Sequence, residues 1–147
     1  MKVALTGHRP ERLRGHEAEV RDWIEQQFKT NNFSKAYCGM AQGADQIFGS
    51  VAKENDIPIV CCLPFPKKKY HPFEEYLMDG AWIYTAGQEY NKQNYFIRDK
   101  YMVDQSDVLL AVWDGIEFGG TYITIKYAKE QGKKIIYIPQ NILLKNK

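Results

Sequence analysis

The sequence predicts an α/β protein: a single-domain, Rossmann-like open sheet, mainly parallel, with helices on both faces. Three observations point to it. Short apolar runs alternate with amphipathic helical segments along most of the chain. Ile57–Leu63 is near-continuously apolar, as a strand covered on both faces must be. The 147 residues carry no repeat, linker or low-complexity tract, so one domain over residues 1–147 is expected.

Each element has its own signal. Lys2–Thr6 reads as a first strand, closed by the turn-rich Gly7-His8-Arg9-Pro10. His16–Thr30 reads as a helix, with Val20, Trp23, Ile24 and Phe28 on one face. Lys35–Gly39 is a second strand, and Gly43–Glu54 a helix with Ile47, Phe48, Val51 and Ala52 on its apolar side. After the Ile57–Leu63 strand, Pro64, Pro66 and Pro72 frame a Lys67-Lys68-Lys69 loop, followed by a short helix at Phe73–Met78 and a short strand at Trp82–Thr85. Asn91–Asp104 is read as a helix with Phe96, Met102 and Val103 inward. Asp107–Trp113 is a buried strand, Gly120–Gln131 a helix closed by Gly132, and Lys134–Ile138 the last strand, with a frayed tail at Lys145-Asn146-Lys147.

Composition excludes several classes. No run approaches the roughly 18 apolar residues of a membrane span, and the N-terminus lacks signal-peptide architecture. A cytoplasmic protein with no membrane partner is therefore expected. The formal net charge of +2 gives no strong pull toward nucleic acid. Cys38, Cys61 and Cys62 form no CxxC or metal-ligand spacing and read as buried reduced thiols, Cys61 and Cys62 on opposite faces of one strand. No metal and no cofactor is expected.

In open parallel sheets ligands bind beyond the carboxyl ends of the strands. The residues following the predicted strands are Thr6-Gly7-His8-Arg9, then Gly39-Met40-Ala41-Gln42-Gly43-Ala44-Asp45, then Pro64, and then Asp114-Gly115 leading to Gly119-Gly120-Thr121. Glycines and polar groups concentrate on that edge. Gly39–Asp45 and Gly115–Thr121 both have the strand–glycine–helix form that presents unpaired N–H donors to an anion. Neither is a Walker A loop and neither matches GxGxxG, which disfavours ATPase and ordinary dehydrogenase activity.

Thr6-Gly7-His8-Arg9-Pro10, Gly39–Asp45, Arg98 before Met102-Val103-Asp104, Ser106-Asp107 and Gly119-Gly120-Thr121 before Tyr127-Ala128 resemble the SLOG superfamily, and within it the YspA/YpsA-like branch with bacterial and phage-borne members. The likeness runs from Thr6 to about Ile138. It implies a Rossmann-like fold and binding of nucleotides or nucleotide-derived signals such as ADP-ribose relatives. Superfamily members include phosphoribohydrolases, DNA-processing proteins that load single strands, and sensor domains. The similar hydrolases carry a glutamate shortly after the Gly-Thr turn, whereas Tyr122, Ile123 and Thr124 follow Thr121 here. No catalytic residue is assigned, although Asp45, Asp99 or Asp114 are available as substitutes.

His8, Arg9 and Arg98 are candidate phosphate contacts, against plain roles in capping or pairing surface carboxylates. Asp45 and Asp114 are candidates for ribose hydroxyls, against holding a helix start and a turn. Thr121 is read as able to cap its helix and donate to phosphate. The Lys67-Lys68-Lys69 loop reads as solvated, and the tyrosines at 84, 90, 95 and 101 as packing residues, any one of which could stack on a base. The reading that follows is a protein that senses or sequesters a nucleotide-derived small molecule without turnover. Two alternatives stand beside it: an N-glycosidic hydrolase of nucleoside monophosphates or ADP-ribose derivatives, and a single-stranded nucleic-acid binder. Nucleic acid is disfavoured by the charge, and a homo-oligomer is left open.

Overall fold

The computed structural model describes residues 1–145. Six strands, β1 (Lys2–Gly7), β2 (Lys35–Cys38), β3 (Ile59–Leu63), β4 (Trp82–Thr85), β5 (Val108–Val112) and β6 (Lys134–Tyr137), form one sheet in the order β4-β3-β2-β1-β5-β6. Every pairing is parallel, and the register runs Val3 against Ala36 on one side and against Val108 on the other. The chain builds outward from β1 to β4, then returns through a helix to the opposite side of β1. The switch point of the sheet therefore lies between β1 and β5, where such folds open a crevice.

The helices are α1 (Pro10–Leu13), α2 (Glu17–Thr30), α3 (Ala44–Glu54), α4 (Pro72–Met78), α5 (Gln93–Gln105), α6 (Gly120–Glu130) and α7 (Gln140–Leu144). On one face Val20 and Ile24 of α2 and Phe48, Val51 and Ala52 of α3 pack on Val3, Leu5, Cys38 and Cys61. On the other, Met102 and Val103 of α5 and Ala128 of α6 pack on Ala4, Val60, Cys62 and Leu109. Cys61 and Cys62 thus face opposite layers as their adjacency requires, and all three cysteines are buried and free. Burial pushes the Cys61 thiol up to about 12, which keeps it protonated and unreactive.

Several features differ from the sequence reading. Phe96, expected inward, is 39% exposed, because α5 turns Asn94, Arg98 and Met102 (one row at i, i+4, i+8) toward the sheet. The cap of α6 is Gly119, with no side-chain cap bond, so Thr121 lies inside the helix and does not cap it. Helices α1 and α7 are too short for their periodicity to show. The expectation of fraying at Asn146 and Lys147 lies outside the described residues.

Candidate functional site at the sheet switch point

Two helix N-termini meet at the switch point. Gly43 caps α3 at φ 95° and Gly119 caps α6 at φ 98°, a region that side-chain-bearing residues avoid. A Cβ on Gly43 would lie 2.6 Å from the His8 carbonyl, so glycine is also required for closeness. The Ala44 N–H of α3 donates to the His8 carbonyl (3.1 Å), and neither cap residue covers the other first-turn N–H groups with a side chain, which leaves donors and a partial positive charge at the crevice.

A cavity of about 380 Å³ occupies this point. Thr6, Gly7, His8 and Arg9 from β1 and its turn, Asp45 from α3, Arg98 from α5, and Gly120 and Thr121 from α6 line it. A second cavity of about 340 Å³ adjoins it over β2 and β3, with Gly39, Met40, Pro64, Phe65 and Lys67 in its wall. The two share Arg9, Ala41, Tyr95 and Arg98. Of the sequence-predicted residues, Gly43, Ala44, Asp114, Gly115 and Gly119 do not line either cavity. Ala44 is buried where a Cβ on Gly7 would come within 2.5 Å of it, so α3 packs directly on the end of β1.

The charged residues divide by what they touch. Arg9 is exposed, forms no ion pair among the described residues, and faces both cavities. Arg98 is 7% exposed; its Nη1 donates to the carbonyls of Gly39 (2.6 Å) and Cys62 (3.3 Å), and its Nε to Asp99 Oδ1 (2.7 Å). It therefore ties the ends of β2 and β3 to α5 while lining both cavities. His8 is buried, which pushes its pKa below the usual value; the neutral ring accepts the Asp114 N–H at Nε2 (3.1 Å).

Arg12, absent from the sequence reading, explains Asp114. Its Nε and Nη2 grip Asp114 Oδ2 (3.0 Å) and Oδ1 (2.7 Å), and its Nη1 donates to the Phe118 carbonyl (2.7 Å). Burial opposes the Asp114 charge, but Arg12 and the Ile116 N–H outweigh it and hold the carboxyl below its ordinary value. Asp114 is thus engaged in fixing the β5–α6 loop. No sequence signal announces this pair, whose members are 102 positions apart.

Asp45 behaves in the opposite way. Burial, reinforced by the Asp99 charge and opposed by Arg98, raises its carboxyl to about 7. The group binds its proton more tightly when folded than unfolded, so stability is lost as pH rises from about 4 through 7. Asp45→Asn should therefore melt above the wild type at pH 8, with the margin closing by pH 4. Equal margins at both pH values, read by thermal denaturation, would contradict this.

Together these features define a Rossmann-like α/β protein with a candidate site at the strand switch point, the fold that the SLOG resemblance implies. Residues 2–147 match the model of the family described as DNA recombination-mediator protein A, and the chain belongs to that family. No curated protein sequence matches it. Among solved structures it is similar to DNA processing protein A from Helicobacter pylori (TM-score 0.72, 18% identity, 95% of this chain and 66% of that one), described for its single-stranded DNA binding mode. It is also similar to DNA processing protein A (DprA) from Streptococcus pneumoniae (0.68, 19%, 94% and 50%) and to the molybdenum cofactor carrier protein of Chlamydomonas reinhardtii (0.63, 14%, 92% and 74%). The chain spans half the length of the first of these two and about two thirds of the Helicobacter protein. At such identities the likeness carries the fold; it does not single out the YspA/YpsA-like branch.

The family match overturns the expectation that nucleic acid is disfavoured as a partner. The physical reason is that a net charge summed over the chain hides its distribution. On the edge where the cavities open, Lys67 and Arg98 are paired with Glu74 and Asp99, and Arg9 is left as a cation with no ion-pair partner among the described residues. No helix among the described residues is long and apolar enough to cross a membrane.

Proposed function

We propose that the protein binds single-stranded DNA along the carboxyl edge of its sheet, with a phosphate at the switch point between the starts of α3 and α6. The observation that carries this is a groove of three adjoining cavities. Beside the two already described lies a third, of about 720 Å³, lined by Tyr90, Phe96 and Ile123 and sharing Asp99 and Gly120 with the first. Tyr95 is a wall of all three. A single nucleotide fills one such space; a row of them suits consecutive units of a strand, with cations for the backbone and rings for the bases.

The test is fluorescence polarisation against oligonucleotides of increasing length. Affinity should climb from a mononucleotide to about three units, and log K should fall with log salt by about 0.7 per phosphate engaged. Gly120→Asp should cut affinity at least tenfold, about 1.4 kcal/mol. A Cβ there meets nothing within 4 Å, and an acid in the first helical turn is tolerated, so the variant should fold. A mononucleotide that binds as tightly as the longer strands would return the site to a small nucleotide-derived ligand.

A further inference from the structure

The third cavity differs from the other two in combining solvent-exposed apolar groups with a carboxylate. Tyr90 is 71%, Ile123 48% and Phe96 39% exposed around it. Asp99 forms the wall that it shares with the switch-point cavity. The two oxygens of Asp99 are unequally satisfied. Oδ1 accepts the Arg98 Nε–H at 2.7 Å. Oδ2 has the Thr124 hydroxyl at 3.3 Å, but that hydroxyl lies closer to the Gly120 carbonyl, at 2.9 Å. A hydroxyl has one hydrogen, and the shorter contact holds it. Oδ2 is therefore held only by a long, shared contact and keeps room for a further donor, in the wall of an aromatic cavity. Burial raises the pKa of this carboxyl against the Arg98 guanidinium and the Thr124 hydroxyl, which lower it.

Resting on the single-strand reading above, we infer that this cavity receives an unstacked base bearing an exocyclic amino group, cytosine or adenine, whose N–H donates to Asp99 Oδ2. The flat ring is held by the aromatic wall of Tyr95 and Phe96, and Lys92, also in the lining, stands near the strand's backbone. Thymine and uracil offer a carbonyl at the same position. They would set acceptor against acceptor, so the site discriminates by chemistry and not by size. Asp99 is on this account a specificity-determining residue, acting beside the phosphate site.

The experiment compares short oligo(dC) with oligo(dU), and oligo(dA) with oligo(dI), at pH 8 and fixed salt. Each pair differs mainly in an amino group replaced by a carbonyl. The wild type should favour dC over dU and dA over dI by about tenfold. In Asp99→Asn the Arg98 N–H still claims the side-chain oxygen and the amide turns a donor outward. The preference should then vanish or invert. Equal affinities for dC and dU in the wild type, with binding retained, overturn the inference and leave the single-strand reading standing. A preference that persists in Asp99→Asn also overturns it. Absence of binding to every oligonucleotide removes both readings. If Asp99→Asn fails to fold, the two wild-type comparisons decide the matter alone.

Discussion

Arg9→Glu should lower affinity for single-stranded DNA by roughly a hundredfold without unfolding the protein. Arg9 is the cation most open to a backbone phosphate: it is exposed, faces both central cavities and has no carboxylate partner among the described residues. A charge-assisted hydrogen bond to phosphate is worth about 1.5–3 kcal/mol, and each 1.4 kcal/mol is about tenfold. Reversing the charge adds repulsion to the loss. The fold should not suffer, because the local structure uses only the backbone of Arg9. Its carbonyl accepts the Arg12 N–H at 3.1 Å, and the following Pro10 favours the extended conformation found there, φ −70° and ψ 167°. Lys68→Glu, on an exposed residue lining neither cavity, is the control for a general charge effect. Polarisation titrations at one salt concentration, beside a melting curve for each variant, make the comparison. Affinity equal to the wild type in Arg9→Glu would remove the switch-point phosphate from the site.

Arg98→Met should cost about 3–5 kcal/mol of stability, the range for breaking a buried ion pair from one side. For a chain of this size that is a fall in melting temperature of about 10 °C or more. Three groups lose their donor together: the Gly39 carbonyl, the Cys62 carbonyl and Asp99 Oδ1. Asp45 and Asp99, which both line the first cavity and whose charges Arg98 offsets, are left to repel one another. Methionine preserves the apolar stem and removes only the guanidinium, so the effect isolates the charge and its fork of donors. Arg98→Lys should recover part of the loss, since an ammonium restores the charge but cannot reach all three acceptors in one geometry. An Arg98→Met protein that melts within about 2 °C of the wild type would show that the arginine serves only the ligand.

Local chemistry made much of the architecture legible in the sequence. The apolar runs of β3 and β5 mark strands covered on both sides, since an uncovered face would carry alternate polar residues. The glycine turns after β2 and β5 mark helix starts on the ligand edge, because both chain direction and glycine tolerance are properties of a few adjacent residues. The tertiary structure decided what those residues meet. It turned Arg98, read from the sequence as a candidate phosphate contact, inward, because α5 crosses the ends of β2 and β3 and their carbonyls need a donor. It joined Arg12 to Asp114 across 102 positions and set Tyr95 between three cavities. It also left Arg9 without an ion-pair partner on that edge, while Lys67 and Arg98 were paired with Glu74 and Asp99. Strand order β4-β3-β2-β1-β5-β6 brings these groups together, and strand order is a non-local choice that neither periodicity nor composition records.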